Sequence, residues 1–367
     1  MSEKIKESIP CPECNREKYF EGLCYWCKNR KLREYYQNLS STEIEIMKDK
    51  IIATIDTIDE WEETYKDFMG LVAYQDYSTQ EISTIAFQKR KFYPNLLYKN
   101  VSNDIENRLF ELIENPNCEN VSHILRCLAI LGNDRVLEVF FQLDKNPLPW
   151  RKELYVDLSL YAEFGGWTYD EKRNRLGLIF NECYSLEKDD RIDDSVIVGS
   201  LRSDHCPNCG CTLVDILTID GLDHRLSFLG ISGKIKIPIC PSCASMCEKT
   251  IIRYAINSDS SMEILNYFGE KNYATKEDLE KMETNQLKLS VIKRPLHYSS
   301  GNDEVCTLGG NPNWIQDPQY ENCPDCSKKM KLLAALSWSQ IWDKIDGTLY
   351  LEICKECSII AAFHQQT

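Results

Sequence analysis

Nowhere in the 367 residues does an apolar run approach the roughly 18 positions that a membrane span requires. The amino-terminal MSEKIKESIPCPEC likewise lacks an apolar stretch that could serve as a signal peptide. The expected location is therefore cytoplasmic, where cysteines persist as thiols unless a metal takes them. Positive charge is also short: 43 Lys and Arg stand against 57 Asp and Glu, a formal net charge of −14. A polyanion is repelled by nucleic-acid phosphates and attracts basic protein surfaces. Disorder is not indicated, because 43% hydrophobic and 27% charged residues are ordinary globular proportions. The length exceeds one compact core and predicts two to four units.

What the chain has in excess is cysteine, 18 in all, and twelve of them form six CxxC pairs. These are Cys11/Cys14, Cys24/Cys27, Cys206/Cys209, Cys240/Cys243, Cys323/Cys326 and Cys354/Cys357. A CxxC turn converges two sulfurs on one ion, and zinc needs two such turns to complete a tetrahedron. Sequential pairing predicts three structural Zn2+ sites of four thiolates each. Each adds a further −2, taking the loaded protein from −14 to about −20. Proline follows the first cysteine in four pairs, at Pro12, Pro207, Pro241 and Pro324, and fixes one dihedral of the turn. A redox pair would need a CxxC opening a helix within a βαβ unit, and that context is missing. A catalytic zinc would leave a coordination position open, which four cysteines fill. His205, Cys211 and Cys247 are read as neighbours of the second site, with substitution for a ligand there left open.

Between the first pairs there is room for a hairpin carrying Tyr19 and Phe20 and turned at Gly22. The insert between Cys209 and Cys240 alternates apolar and polar residues and reads as several antiparallel strands, and GTLYLEI in the third site is strand-like. KNRKLREYY reads as a helix, and Ser40 to Glu43 has the spacing of a capping box ahead of Ile44, Met47 and Ile51. NVSHILRCLAILGNDRVLEVFFQLDKNP predicts two amphipathic helices joined at Gly132-Asn133-Asp134, as in one HEAT-type unit of a short solenoid or a helical bundle. A second capped helix is expected from Thr275. The expected class is α+β, with three zinc-ribbon modules around an α-helical, HEAT-like domain. The expected division is 1–35 first ribbon, 36–200 helical, 201–260 central ribbon with strands, and 261–367 helical linker and last ribbon.

No catalytic residue is assigned. His123 and Cys127 share a helical face but have no third orienting group, so a packing face is the expectation. No partner-binding residue is assigned either. Asp189, Asp190, Asp193 and Asp194 form an acidic patch that reads first as a solvated loop.

The segment CTLGGNPNWIQDPQYENCPDC combines Gly309-Gly310, which permits positive φ, with the stiff Pro312 and the large Trp314. Gly309, Gly310, Pro312, Trp314, Gln316 and the last four paired cysteines resemble the Gly-Gly-x-Pro-x-Trp-x-Gln and CxxC signature of YwqG-like bacterial proteins. The likeness covers roughly residues 300–367. A more distant likeness is to the programmed-cell-death-type eukaryotic proteins, chaperones of ribosomal proteins. Multi-ribbon proteins with helical repeats also resemble immunity proteins of polymorphic toxin systems. These resemblances imply an interaction module more than an enzyme, and no enzymatic activity is expected. The expected function is neutralisation of a basic toxin, with a chaperone for a basic ribosomal protein as the alternative. A nucleic-acid reading would use Lys28, Arg30, Lys31, Arg33, Lys89, Arg90 and Lys91 beside Tyr25, Trp26, Phe92 and Tyr93.

Overall fold

The computed structural model describes residues 8–269, 271–301 and 304–366. A short hairpin, β1 (Ile9–Pro10) and β2 (Glu17–Lys18), leads into eight helices. These are α1 (Tyr25–Gln37), α2 (Ser41–Ala53), α3 (Glu63–Gln75), α4 (Gln80–Gln88), α5 (Asn103–Glu114), α6 (Val121–Leu131), α7 (Asp134–Lys145) and α8 (Leu158–Glu163). The capping box expected at α2 is present: Glu43 N–H donates to Ser40 Oγ at 3.3 Å and Ser40 N–H to Glu43 Oε2 at 2.8 Å. Gly132 closes α6 in the left-handed conformation, and Asn133 caps α7. Phe68, Leu109, Leu125, Leu128, Val136 and Phe140, fully buried, belong to one helical core.

The unbroken run of helices ends at Glu163, ahead of residue 200. From there the chain is mostly strand: β3 (Trp167–Tyr169), β4 (Arg175–Gly177), β5 (Cys183–Lys188), β6 (Val196–His205), β7 (Thr212–Asp220), β8 (Lys234–Ile239), β9 (Lys249–Arg253) and β10 (Ser261–Leu265). Then follow β11 (Leu287–Leu289), β12 (Cys306–Gly309), β13 (Lys331–Ser337), β14 (Thr348–Cys354) and β15 (Ile359–Gln365). Three short helices interrupt them: α9 (Pro241–Ala244), α10 (Lys276–Glu283) and α11 (Trp338–Ile341). The helical linker expected after residue 261 is thus one capped helix, α10, inside a β region.

Eight strands form one antiparallel sheet in the order β10-β9-β15-β14-β13-β12-β5-β11, and β6-β7-β8 form a second. The larger sheet draws strands from the expected helical, central and carboxy-terminal parts alike. Period-two alternation explains the layering. Leu349, Leu351 and Ile353 of β14 face the core shared with β6-β7-β8, whereas Tyr350 faces the opposite side with Tyr320, Leu332 and Phe363. No described helix is long and apolar enough to cross a membrane.

Candidate metal centres and an aromatic cleft

The twelve paired cysteines come together in the three expected groups, the four sulfurs of each lying within 4.8 Å of one another. Individual separations are 3.4 Å for Cys14 and Cys24, 3.7 Å for Cys206 and Cys243, 3.4 Å for Cys209 and Cys240, and 3.8 Å for Cys326 and Cys354. A tetrahedron of sulfurs about 2.3 Å from a central ion has edges of about 3.8 Å. The donor sets therefore fit a four-coordinate metal ion and leave no position open.

A single local device builds the first half of every site. In each, the first cysteine's N–H donates to the carbonyl five residues on: Cys11 to Arg16 at 2.9 Å, Cys206 to Cys211 at 2.8 Å and Cys323 to Lys328 at 2.8 Å. The N–H four residues on returns to the cysteine carbonyl, from Asn15, Gly210 and Ser327. Those three residues are left-handed, at φ 56°, 74° and 60°. Asn, Gly and Ser are small residues suited to such a turn. The flanking residues pair antiparallel in every case: Pro10 with Glu17, His205 with Thr212, and Asn322 with Lys329. The same hairpin occurs three times. Tyr19 and Phe20 consequently follow the hairpin of site one instead of riding on one between the two pairs.

The second halves differ. Cys24 and Cys240 are the residues preceding α1 and α9, while Cys354 ends β14 and Cys357 lies in the turn to β15. Backbone N–H groups stabilise the thiolates, as where Cys24 N–H donates to Cys11 Sγ at 3.3 Å. Burial pushes the Cys11 thiol up, and the N–H groups of Cys24, Glu13 and Cys14 bring it down to about 6. Cys211 holds the hairpin position that Arg16 and Lys328 hold elsewhere, which places it beside site two and outside the four-sulfur group. Neither His205 nor Cys247 joins that four-sulfur group.

Cys127 is fully buried, and its thiol donates to the carbonyl of Phe92 at 3.3 Å. Burial holds it well above the ordinary thiol range. His123 instead meets the edge of Tyr93, ring centres 6.3 Å apart. Of the four aspartates, Asp189 binds Arg191 at 2.5 Å and Asp193 binds Arg225 at 2.8 Å, so half of that patch is neutralised within the fold.

The Gly-Gly-x-Pro-x-Trp-x-Gln block lies across β14 and β15. Gly309 and Gly310 take φ 66° and 77°, and a Cβ on Gly309 would stand 2.2 Å from the carbonyl oxygen of Glu182. Trp314 packs on Tyr350, Tyr320 and Phe363 at 4.5, 5.2 and 6.3 Å between ring centres. Gln316 N–H donates to Gln365 Oε1 at 3.1 Å, and its side-chain amide to the carbonyl of Gln366 at 2.8 Å. The block also forms one wall of a cleft of about 890 Å³, whose other walls come from α1 and the helical part. Trp61, Tyr65 and Tyr93 form an aromatic group there, ring centres 4.7 to 6.1 Å apart, with Tyr65 and Tyr93 stacked and Trp61 tilted against both. Sequence reasoning missed this group because Tyr93 lies 32 and 28 positions from Trp61 and Tyr65 and meets them only through packing of the helical part.

The chain is 25% identical over 350 residues to a Salmonella typhimurium protein whose name reads "Uncharacterized protein YpfL". The match covers 91% of this chain and 80% of that protein. No protein-family model matches the chain, and no solved structure does.

Proposed function

We propose that this protein is a non-enzymatic, zinc-stabilised factor that binds a basic protein partner, in the manner of an immunity protein that captures a basic toxin. The observation that carries the reading is where the positive charge goes. Arg30 and Lys31 are held by Glu13 at 2.7 and 2.6 Å, Lys89 by Asp56 at 3.0 Å, and Lys91 by Asp59 at 2.9 Å. Four of the seven cations that would contact nucleic-acid phosphates are thus paired in place, and the excess charge of −14 favours a basic protein.

Zinc is the metal that three closed four-thiolate sets favour in a reducing compartment, and its task there is structural. The likeness of residues 300–367 to YwqG-like proteins fits an interaction module, and the helical part with its HEAT-type helix pair would supply further binding surface. The test is affinity capture with tagged, zinc-loaded protein, with and without nuclease, read by mass spectrometry. A basic protein retained after nuclease is expected, and its identity separates a toxin from a ribosomal protein. Recovery that disappears with nuclease would overturn the reading. Elemental analysis of the purified chain should find three zinc ions, one for each cysteine group.

A further inference from the structure

We infer that the aromatic cleft is the docking site for an extended segment of the partner in which basic residues alternate with neutral ones. The inference rests on the reading that the partner is a basic protein, and it assigns the place where that partner is held.

Trp61 is the first ground. Its side chain is 61% exposed although it is one of the largest apolar groups in the chain. Its backbone stands in the left-handed region at φ 60°, a conformation costing a bulky residue on the order of 1 kcal/mol or more. Tyr65 and Tyr93 brace it from one side, which leaves ring surface for an arriving group. Trp is the side chain best suited to an arginine or lysine over its face.

The charges around it are the second. Asp59 and Glu63 are spent on Lys91 and Lys50, but Glu60 and Glu62, directly beside Trp61, have no ion pair among the described residues. Across the cleft Asp317 is 89% exposed and reaches only Arg126, at 4.0 Å, and Asp346 has no ion pair among the described residues. Two carboxylates of the lining, Asp317 and Asp346, with Glu60 and Glu62 adjoining Trp61 in sequence, therefore offer negative charge to a cationic side chain on the ring.

The hydrogen-bond inventory is the third. Trp26 Nε1 and Arg126 Nε both belong to cleft-lining residues, both are buried, and neither has a partner among the described residues. Each is a donor that solvent does not reach, so the carbonyls of an extended peptide would satisfy it only as the lining side chains shift. Arg33 and Lys66 also line the cleft, so a uniform run of positive charge fits it less well than an alternating one.

The probe is a short fluorescein-labelled peptide of alternating arginine and leucine, followed by anisotropy at low and moderate salt. The wild-type chain should bind it, and the counterpart with glutamate for arginine should not. Trp61→Ala and Asp317→Asn, both at exposed side chains, should each weaken binding roughly tenfold with the urea midpoint unchanged. Ile192→Ala, at an exposed side chain outside the cleft, should bind as wild type does. Equal affinity for Trp61→Ala and wild type overturns the assignment, as does preferential binding of a single-stranded RNA of the same length. If Trp61→Ala still captures the basic protein that the wild type captures, the cleft is the wrong site while the partner reading stands. If the wild type captures no basic protein, the partner reading fails first.

Discussion

Single positions in this chain do work that their chemistry predicts, and Gly309 is the sharpest case. Its φ of 66° is open to glycine, and an added Cβ would meet the Glu182 carbonyl at 2.2 Å and the ring of Phe228 at 2.8 Å. Neither the carbonyl nor the packed ring yields cheaply. Gly309→Ala should therefore cost on the order of 2 kcal/mol or more, read as a lowered urea midpoint at unchanged slope. A midpoint equal to wild type would show that the chain relaxes around the methyl group. The need for positive φ at Gly309-Gly310 was legible in the sequence, and so were the twelve cysteines. What they pack against was not. Trp314 reads as an anchor near a metal site, yet its partners Tyr350 and Phe363 come from strands whose register no local pattern reveals.

At the scale of elements, local signals held and long-range ones did not. Ser40 and Thr275 start helices because their hydroxyls accept the N–H three residues on, a purely local bond. The threefold repeat of the knuckle hairpin was also within reach, since CPECN, CPNCG and CPDCS carry Asn, Gly and Ser at the left-handed position. By contrast, β5 lies next to an acidic stretch that reads as loop, and it becomes a strand by pairing with β11 and β12 more than 90 residues away. Another long-range contact joins the helices to the last metal site. Lys329 Nζ lies 3.0 Å from Glu163 Oε1 in α8 and donates to the carbonyl of Tyr320 at 2.7 Å. Glu163 is 2% exposed, and burial pushes its carboxyl up while Lys329 opposes that shift. Removing the lysine leaves a buried carboxylate without its counter-ion. Lys329→Met should cost about 3 kcal/mol near neutral pH. In that variant the folded pKa of Glu163 rises further above its unfolded value. The penalty is then largest above the folded pKa and shrinks as pH falls toward the ordinary carboxylate range. Stability of Lys329→Met against wild type at about pH 8 and about pH 5 measures this, and a gap independent of pH would refute it.

On the scale of the whole molecule, the second and third cysteine groups are joined through one sheet. Cys240 and Cys243 of site two precede β9 by a few residues, while Cys354 and Cys357 of site three lie at the turn between β14 and β15. β9 pairs with β15, Ile252 opposite Ile360, so the strands issuing from the two sites are hydrogen-bonded neighbours. Arg253 of β9 then binds Asp325, which lies inside the Cys323/Cys326 turn, through both guanidinium nitrogens at 2.7 and 2.8 Å. A structural zinc contributes on the order of 10 kcal/mol to a small domain, which exceeds the whole stability of most folds. Losing site three through Cys323→Ser with Cys326→Ser should therefore unpair β14 and β15, strip β9 of its neighbour and loosen site two in the same step. Site one is attached differently: Arg16 reaches the carbonyl of Ser339 at 3.2 Å, and α1 rests on α3, with no strand shared with the large sheet. Cys11→Ser with Cys14→Ser should expose α1 and leave the sheet intact. Hydrogen exchange on the two variants, with zinc release followed during chelation, separates these expectations. Site-three loss should deprotect β9, β10, β14 and β15 together and release the ion of site two with its own, whereas site-one loss should deprotect only the first 40 or so residues. If β9 and β10 keep full protection after site three is lost, the two ribbons are independent after all, and the shared sheet is not what couples them.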